Sequence, residues 1–341
     1  MIMDITSISS LADSHCHLGV ECSPATIASL AHMINNGLAL GQDNFFHIMT
    51  TYHLDLELLD RLLDSLEEPS VVPYYGVHPW YSHIFSTVKY DCHSRSEEEI
   101  KRKHYGGVLT PAPPKELLDV LPLPIYIDDH LARIMELITK HSRFQYGIGE
   151  IGLDKLFRIP TNGYFGNKLV ANDGDTKLSN CKVTMAHQAV IFEKQLDLAN
   201  RLQKQVSVHC VKAHGLLYEI VHKYPQLSAI ILHSYSGSVD QANRWIREHK
   251  AEGPKLYFSF SNWINGTENK REVLDSIVHS LEEDQILIET DVSVDQYVTK
   301  GNKEEYFDHL RGIFEIISKL KAWDKDTMRG IIRENMFRSI S

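Results

Sequence analysis

An alternation limits what this chain can fold into: short apolar runs, several rich in β-formers, recur between longer stretches of helical period. Read as strands, the runs are SLADSHCH (10–17), FFHIMTT (45–51), VVPYYGVH (71–78), QYGIGE (145–150), QVSVHC (205–210), SAIILH (228–233), KLYFSF (255–260) and QILIET (285–290). Between them lie amphipathic stretches such as LDLELLDRLLDSLEE (54–68) and HQAVIFEKQLDLANRLQKQ (187–205), whose apolar residues fall on one stripe at helical rather than strand period. Strands alternating with helices imply parallel pairing, and eight such units are what a closed (β/α)8 TIM barrel requires. The expected architecture is an α/β barrel forming a single domain over residues 1–341.

Spacing locates two insertions. His209 and His233 are 24 residues apart, about one strand–helix–strand repeat. The gaps from His78 to Glu150 (72) and from Glu150 to His209 (59) are too long for one repeat. The extra chain is expected at about 81–126, charged early and proline-rich late, and at 158–180, rich in Gly, Asn and Asp. Both should emerge at the carboxyl ends of strands, beside any active site, and neither has the composition of an independent domain.

Charge and cysteine usage narrow the function. The net charge of −10 and the lack of a basic run argue against broad nucleic-acid binding by phosphate contacts alone. A nucleic-acid substrate would need local grip, for instance through bound cations. No run approaches the ~18 apolar residues of a membrane span, and MIMDITSISSLADSHCH has no signal-peptide pattern. Five cysteines without a C-x-x-C pair point to a reducing compartment, cytosol or nucleus. The 19 histidines are the unusual count, because imidazole is the commonest metal ligand.

Those histidines and two acids fall at strand ends. His15 and His17 sit one residue apart, so on a strand they face one side while Cys16 faces the other. Asp13 shares their side and is a candidate acceptor for an imidazole N–H or a plain buried hydrogen-bonding group. Glu150, His209, His233 and Asp291 each follow an apolar run and precede a polar loop. In a barrel these ends converge on one rim, where enzymes of this fold keep their active sites. Six N/O donors exceed one tetrahedral site and suit two metals sharing a carboxylate, with Glu150 as the bridge.

The segment QYGIGEIGLDK (145–155) also spells G-x-G-x-x-G, the glycine pattern of a dinucleotide cradle. The neighbouring residues argue against a cradle. LDKLFRIPTNGY carries Pro160 and no helical period, and Glu150 would repel a pyrophosphate. The glycines are expected instead to keep the rim clear around the carboxylate.

The pattern resembles the TatD family of metal-dependent hydrolases, within the amidohydrolase superfamily of barrels. The matching stretches span nearly the whole chain: DSHCH, GVHPW, GEIGLD, VHC, LHSYSGS and ETD. The resemblance implies a divalent-metal phosphodiesterase acting on DNA, a deoxyribonuclease often trimming from the 3′ end. Magnesium is the family expectation, whereas four imidazoles favour zinc or manganese. The charged insertions and LDKLFRIP resemble a fungal branch that binds a subunit of the anaphase-promoting complex, which implies a protein partner at the insertions.

On this reading the metal pair polarises a phosphoryl oxygen and activates a water, with Asp291 as proton acceptor and Glu150 as bridge. His78 is a candidate phosphate or leaving-group contact, while Trp80 offers either a stacking face or packing under the insertion. Ser234, Ser236 and Gly237 either contact substrate or cap a helix at Ser238. The family places Arg two residues after the fifth-strand histidine; here Val211 stands there, followed by Lys212, a shifted point-charge replacement. His47 is expected in the core or behind the ligands and His187 as structural. His83, His93, His104 and His130 are expected in solvent. Two other readings stand beside the nuclease: a metal hydrolase of an amide, lactone or small phosphoester, and a partner-binding scaffold with residual catalysis.

Overall fold

The computed structural model describes residues 12–36, 46–91, 95–168, 170, 177–248, 253–301 and 303–340. Within them every apolar run is a strand: β1 (Asp13–His17), β2 (Phe46–Met49), β3 (Val71–Tyr75), β4 (Gly147–Asp154), β5 (Val206–Val211), β6 (Ala229–Leu232), β7 (Lys255–Ser261) and β8 (Ile286–Glu289). Each pairs in parallel with the next, in the order β1 to β8. The ring closes where Asp291 N donates to His15 O and His17 N to Val292 O, both at 3.0 Å.

The strands are buried on both faces, as parallel strands covered by helices must be. Inward, Met49, Val72, Tyr74, Ile231, Tyr257 and Leu287 fill the barrel, and Met336 and Ile340 close the cluster. Outward, Phe46, Ile48, Tyr75, Val208, Phe258 and Phe260 pack under the helical ring. Burial of each such side chain stabilises by about 1.5–3 kcal/mol.

The helices in chain order are α1 (Pro24–Asn35), α2 (Asp55–Ser65), α3 (Glu97–Val108), α4 (Lys115–Val120), α5 (Ile127–Lys140), α6 (Met185–Leu202), α7 (His214–Val221), α8 (Val239–Glu248), α9 (Arg271–Ser280), α10 (Val294–Thr299), α11 (Lys303–Lys321) and α12 (Lys325–Ser339). Their starts reflect local chemistry. Ser23 accepts from Thr26 N ahead of Pro24, and Ser96 with Glu99 forms a reciprocal capping box on α3.

The two insertions leave the carboxyl ends of β3 and β4 and fold onto each other. Leu109–Thr110 pairs antiparallel with Lys182–Val183. Tyr105, Leu117 and Leu121 from the first share a small apolar cluster with Ile159 from the second and with Cys181 and Val183 just beyond it. This joint cap corrects one expectation: His83, His104 and His130 are buried rather than solvated. Each imidazole has a local partner: His83 Nε2 meets Gly163 O at 3.1 Å, His104 Nε2 meets His83 O at 2.8 Å, and the His130 ring lies 4.8 Å from that of Phe85. His187 is structural, with Nε2 3.0 Å from Ser82 O. His93 lies outside the described residues.

Candidate metal centre

Glu150 occupies the middle of the barrel mouth because β4 is irregular there. The β4–β5 register advances three residues on β4 (Ile148 to Ile151) against two on β5 (Val206 to Val208), a bulge at Gly149–Glu150. Bulges of this kind re-aim a side chain. Glu150 N also leaves the β5 ladder and donates to Thr50 O at 3.1 Å.

The glycines of the segment serve strand packing rather than clearance at the rim. A Cβ on Gly147 would meet the Tyr74 ring at 2.3 Å, and one on Gly152 (φ +147°) would meet His209 O at 2.0 Å. No nucleotide cradle forms, since the chain continues as strand to Asp154.

The carboxylate of Glu150 divides its oxygens between two groups of imidazoles. Oε2 lies 3.3 Å from both His15 Nε2 and His17 Nε2. Oε1 lies 2.9 Å from His209 Nδ1, 3.0 Å from His233 Nε2 and 3.2 Å from His78 Nε2. Asp291 completes the first group, with Oδ1 3.4 Å from His17 Nε2. All six residues expected to bind metal therefore meet, drawn from β1, β4, β5, the turn after β6 and the turn after β8.

Partners behind the rings settle which nitrogen faces the centre. His233 Nδ1 meets Glu289 Oε1 at 3.1 Å and His209 Nε2 meets Asp154 Oδ2 at 3.4 Å. Protons on those nitrogens leave the His233 Nε2 and His209 Nδ1 lone pairs facing each other at 3.4 Å. His15 Nε2 and His17 Nε2 face each other at 3.1 Å, with Ser207 Oγ 3.0 Å from the far nitrogen of His15. Converging lone pairs beside a carboxylate repel unless a proton or a cation lies among them. The donor set fits divalent metal: two groups, His15–His17–Glu150 and His15–His233–Asp291, each have ligand atoms within 4.8 Å of one another.

His78 behaves differently. Trp80 N donates to His78 Nδ1 at 3.1 Å, so the neutral ring carries its proton on Nε2 and donates it to Glu150. Burial holds this imidazole down to about 4, in the neutral form at pH 7. Geometrically His78 with His209 and Glu150 could also hold an ion, but its backbone contact argues for a donor.

The electrostatics of the cluster are mutual. Burial pushes the Glu150 carboxyl up, but the imidazoles of His78, His233 and His15 outweigh it and hold it well below the usual carboxylate range. Burial likewise opposes charge on His233, yet Glu150 and Glu289 carry it well above the usual imidazole value. Asp291 is raised by burial and lowered further by its contact with His17, to about 2.

Sequence reasoning missed Asp154, Glu289 and Ser207. Asp154 accepts from Trp80 Nε1 at 2.7 Å and from the backbone N–H groups of Leu156 (2.8 Å) and Phe157 (2.9 Å), which anchor it behind His209. Trp80 therefore packs, stacked on Phe157 at 4.7 Å, and is not a free platform. Glu289 Oε1 also accepts from Ser234 N (2.7 Å) and Ser234 Oγ (2.6 Å). The available signal was period two: Ser207 precedes His209 and Glu289 precedes Asp291 by two residues. Asp13 takes the second of its two expected roles, a plain buried hydrogen-bonding group. It accepts from the backbone N–H groups of His15 (3.1 Å) and Thr290 (3.0 Å), and from the Thr290 and Tyr306 hydroxyls, pinning β1 to the end of β8 rather than orienting an imidazole.

The remaining candidates lie outside the cluster. His47 is fully buried with both ring nitrogens unpartnered and 5.0 Å from the Tyr74 ring, a core residue held neutral by burial. Ser236 and Lys212 are exposed on a cleft beside the centre; Ser236 Oγ donates to Cys210 O at 3.3 Å. Ser238 caps α8 with Gln241.

Comparison with known proteins agrees with this geometry. A family model described as TatD related DNase matches residues 12–341. The chain is 29% identical to Cut9-interacting protein scn1 of Schizosaccharomyces pombe, covering 94% of this chain and 96% of that protein. It is 30% identical to an uncharacterized deoxyribonuclease of Saccharomyces cerevisiae, covering 84% of each. Its fold matches a TatD homologue from Escherichia coli with a TM-score of 0.57 at 15% identity, over 98% of both chains. A barrel whose mouth gathers these histidines and acids, matched along its length by that family model, is a member of the TatD family of metal-dependent hydrolases.

Proposed function

We propose that this protein is a divalent-metal-dependent deoxyribonuclease that holds two cations through Glu150. The observation that carries this is the division of the Glu150 oxygens, Oε2 towards His15 and His17 and Oε1 towards His209 and His233, at 2.9–3.3 Å. On this reading His15, His17 and Asp291 would hold one cation and His209 the other, with His233 in reach of both, since it groups with His15 and Asp291 and lies 3.4 Å from His209. Bound there, the cations supply a polarised phosphoryl oxygen and a water acidified towards neutrality. Imidazole-rich donors favour zinc or manganese over magnesium.

The chain's own residues do the rest. Asp291 takes the proton of the attacking water; His17 Nε2, 3.4 Å from its Oδ1, orients the carboxylate. His78 steadies Glu150 and presents its ring beside the leaving group. Lys212 and Ser236, on the adjoining cleft, contact the flanking substrate. We infer 3′-to-5′ trimming as the polarity.

The test is metal-stripped protein, reloaded with manganese, zinc or magnesium, assayed on end-labelled oligonucleotides with Glu150→Gln and Asp291→Asn as comparisons. Two bound metals and cleavage lost in both variants are expected. Fully loaded protein that leaves every oligonucleotide intact would refute the reading.

A second reading has its own support. Val211 stands where the family carries Arg and the net charge is −10, which favours a small phosphoester, lactone or amide; chromogenic substrates run beside DNA separate the two. The cap is the surface we assign to a protein partner, prompted by the name of the fission-yeast relative. A cytosolic or nuclear site suits the four described cysteines, all unpaired.

A further inference from the structure

Beside the metal centre lies a cleft of about 860 Å³ formed by the carboxyl ends of β4, β5 and β6. Its charged lining is Lys155, Lys212 and Lys270, with no carboxylate. All three lysines are exposed, and among the described residues none is ion-paired with an acid. In a chain of net charge −10, exposed Lys89, Lys115, Lys140 and Lys223 have acidic partners, whereas Lys103 and Lys319 are in no ion pair among the described residues but stand singly. Three free ammonium groups on one cleft are thus a local reversal of the protein's overall sign. With a Debye length of about 8 Å, the distant acidic surface is screened and the local sign decides what enters.

The lining of the cleft follows the residues of the centre closely along the chain. Lys155 directly follows Asp154, which holds His209, and Lys155 N donates to Val211 O at 3.0 Å. Lys212 lies three residues beyond His209 in the left-handed region (φ +56°), which non-glycine residues seldom adopt and which here turns the chain out of β5. Ser236 lies three residues beyond His233 on the same wall. Lys270 stands across the cleft, at the start of α9. Ala213 opens α7 on this wall without a side-chain cap, so no acidic or hydroxyl side chain covers the positive end of that helix.

We propose that this cleft is a phosphate track: Lys212, Lys155 and Lys270 hold successive phosphates of the nucleic-acid strand that flanks the scissile bond. The proposal rests on the deoxyribonuclease reading and refines it. The track makes the site selective for polymers over small phosphoesters, and it supplies through lysines the grip that Val211 cannot.

The test reads binding without turnover. Chelator-treated full-length protein is titrated into a fluorescein-labelled 12-nucleotide single-stranded DNA over a salt series, with fluorescence anisotropy as the signal. The triple reversal Lys155→Glu, Lys212→Glu, Lys270→Glu is compared with reversal of three exposed lysines elsewhere, Lys103, Lys300 and Lys319, which changes net charge equally. A milder Lys→Gln set in the cleft guards against misfolding. Cleft reversal should weaken binding at least tenfold and flatten the log affinity–log salt slope by about 2, from ~0.7 per lost phosphate contact; the control set should do far less. Equal effects of the two sets, or wild-type protein that does not bind the strand, would overturn the track. Binding through the lysines in a protein that cleaves no DNA would leave the track standing while removing the nuclease. Cleavage by the cleft-reversed protein with unchanged KM would do the opposite.

Discussion

At the scale of single residues, the centre depends on groups that never reach substrate. Asp154 sets which nitrogen of His209 carries the proton. Its replacement by Asn removes the charged acceptor and frees the ring, so metal affinity should fall about 10–100-fold, measured by titration with a chromophoric chelator. Unchanged affinity would mean that packing alone orients His209. Gly152 sets a different limit. Any Cβ there collides with His209 O at φ +147°, so Gly152→Ala should cost at least about 1–3 kcal/mol in urea unfolding and should weaken metal binding as β5 shifts. A stable, metal-replete alanine variant would show that the strand contact yields cheaply.

At the scale of elements, the cap is a joint structure of two segments, stitched by neutral imidazoles. Burial holds His83 down to about 3 and His104 down to about 4, and lowers His187 as well. A histidine whose folded value lies below its unfolded 6.5 binds fewer protons folded than unfolded as pH falls. The stabilisation is therefore complete above about 6.5 and is lost as pH drops towards 4. Buried His47 and His78 carry the same dependence in the barrel, so hydrogen exchange of 97–126 should rise in that window together with that of the barrel strands. Exchange in the cap that is indifferent to pH between 6.5 and 4 would refute the role of its imidazoles. The composition of each insertion by itself hid this arrangement, because Tyr105 and Ile159 are 54 residues apart and neither segment alone has a core.

At the scale of the whole molecule, the barrel mouth is closed by charge as well as by packing. The clustered side chains come from strands at both ends of the chain, so cations held among them would tie β1, β4, β5 and the ends of β6 and β8 together. Ligand that binds only the folded state adds about 2.7 kcal/mol when present at 100 times its Kd. Chelation should therefore lower the melting temperature of the entire barrel in one transition, restored by re-addition. A melting curve indifferent to chelator would argue that the clustered imidazoles are satisfied by protons alone.

Residue order alone specified the eight strands, their parallel arrangement and six polar side chains that converge at the mouth, because each is a local signal. A β-run between helical stretches can be buried on both faces only in a covered sheet, and a polar residue ending such a run must lie at the rim. The folded barrel was needed for everything that depends on neighbours distant in sequence. The β4 bulge turns Glu150 across two imidazole groups. Asp154 and Glu289 choose the facing nitrogens, Asp13 locks backbone rather than imidazole, and buried histidines hold the cap. Those roles depend on which atom lies within about 3 Å, a distance that residue order leaves open until the ring of strands closes.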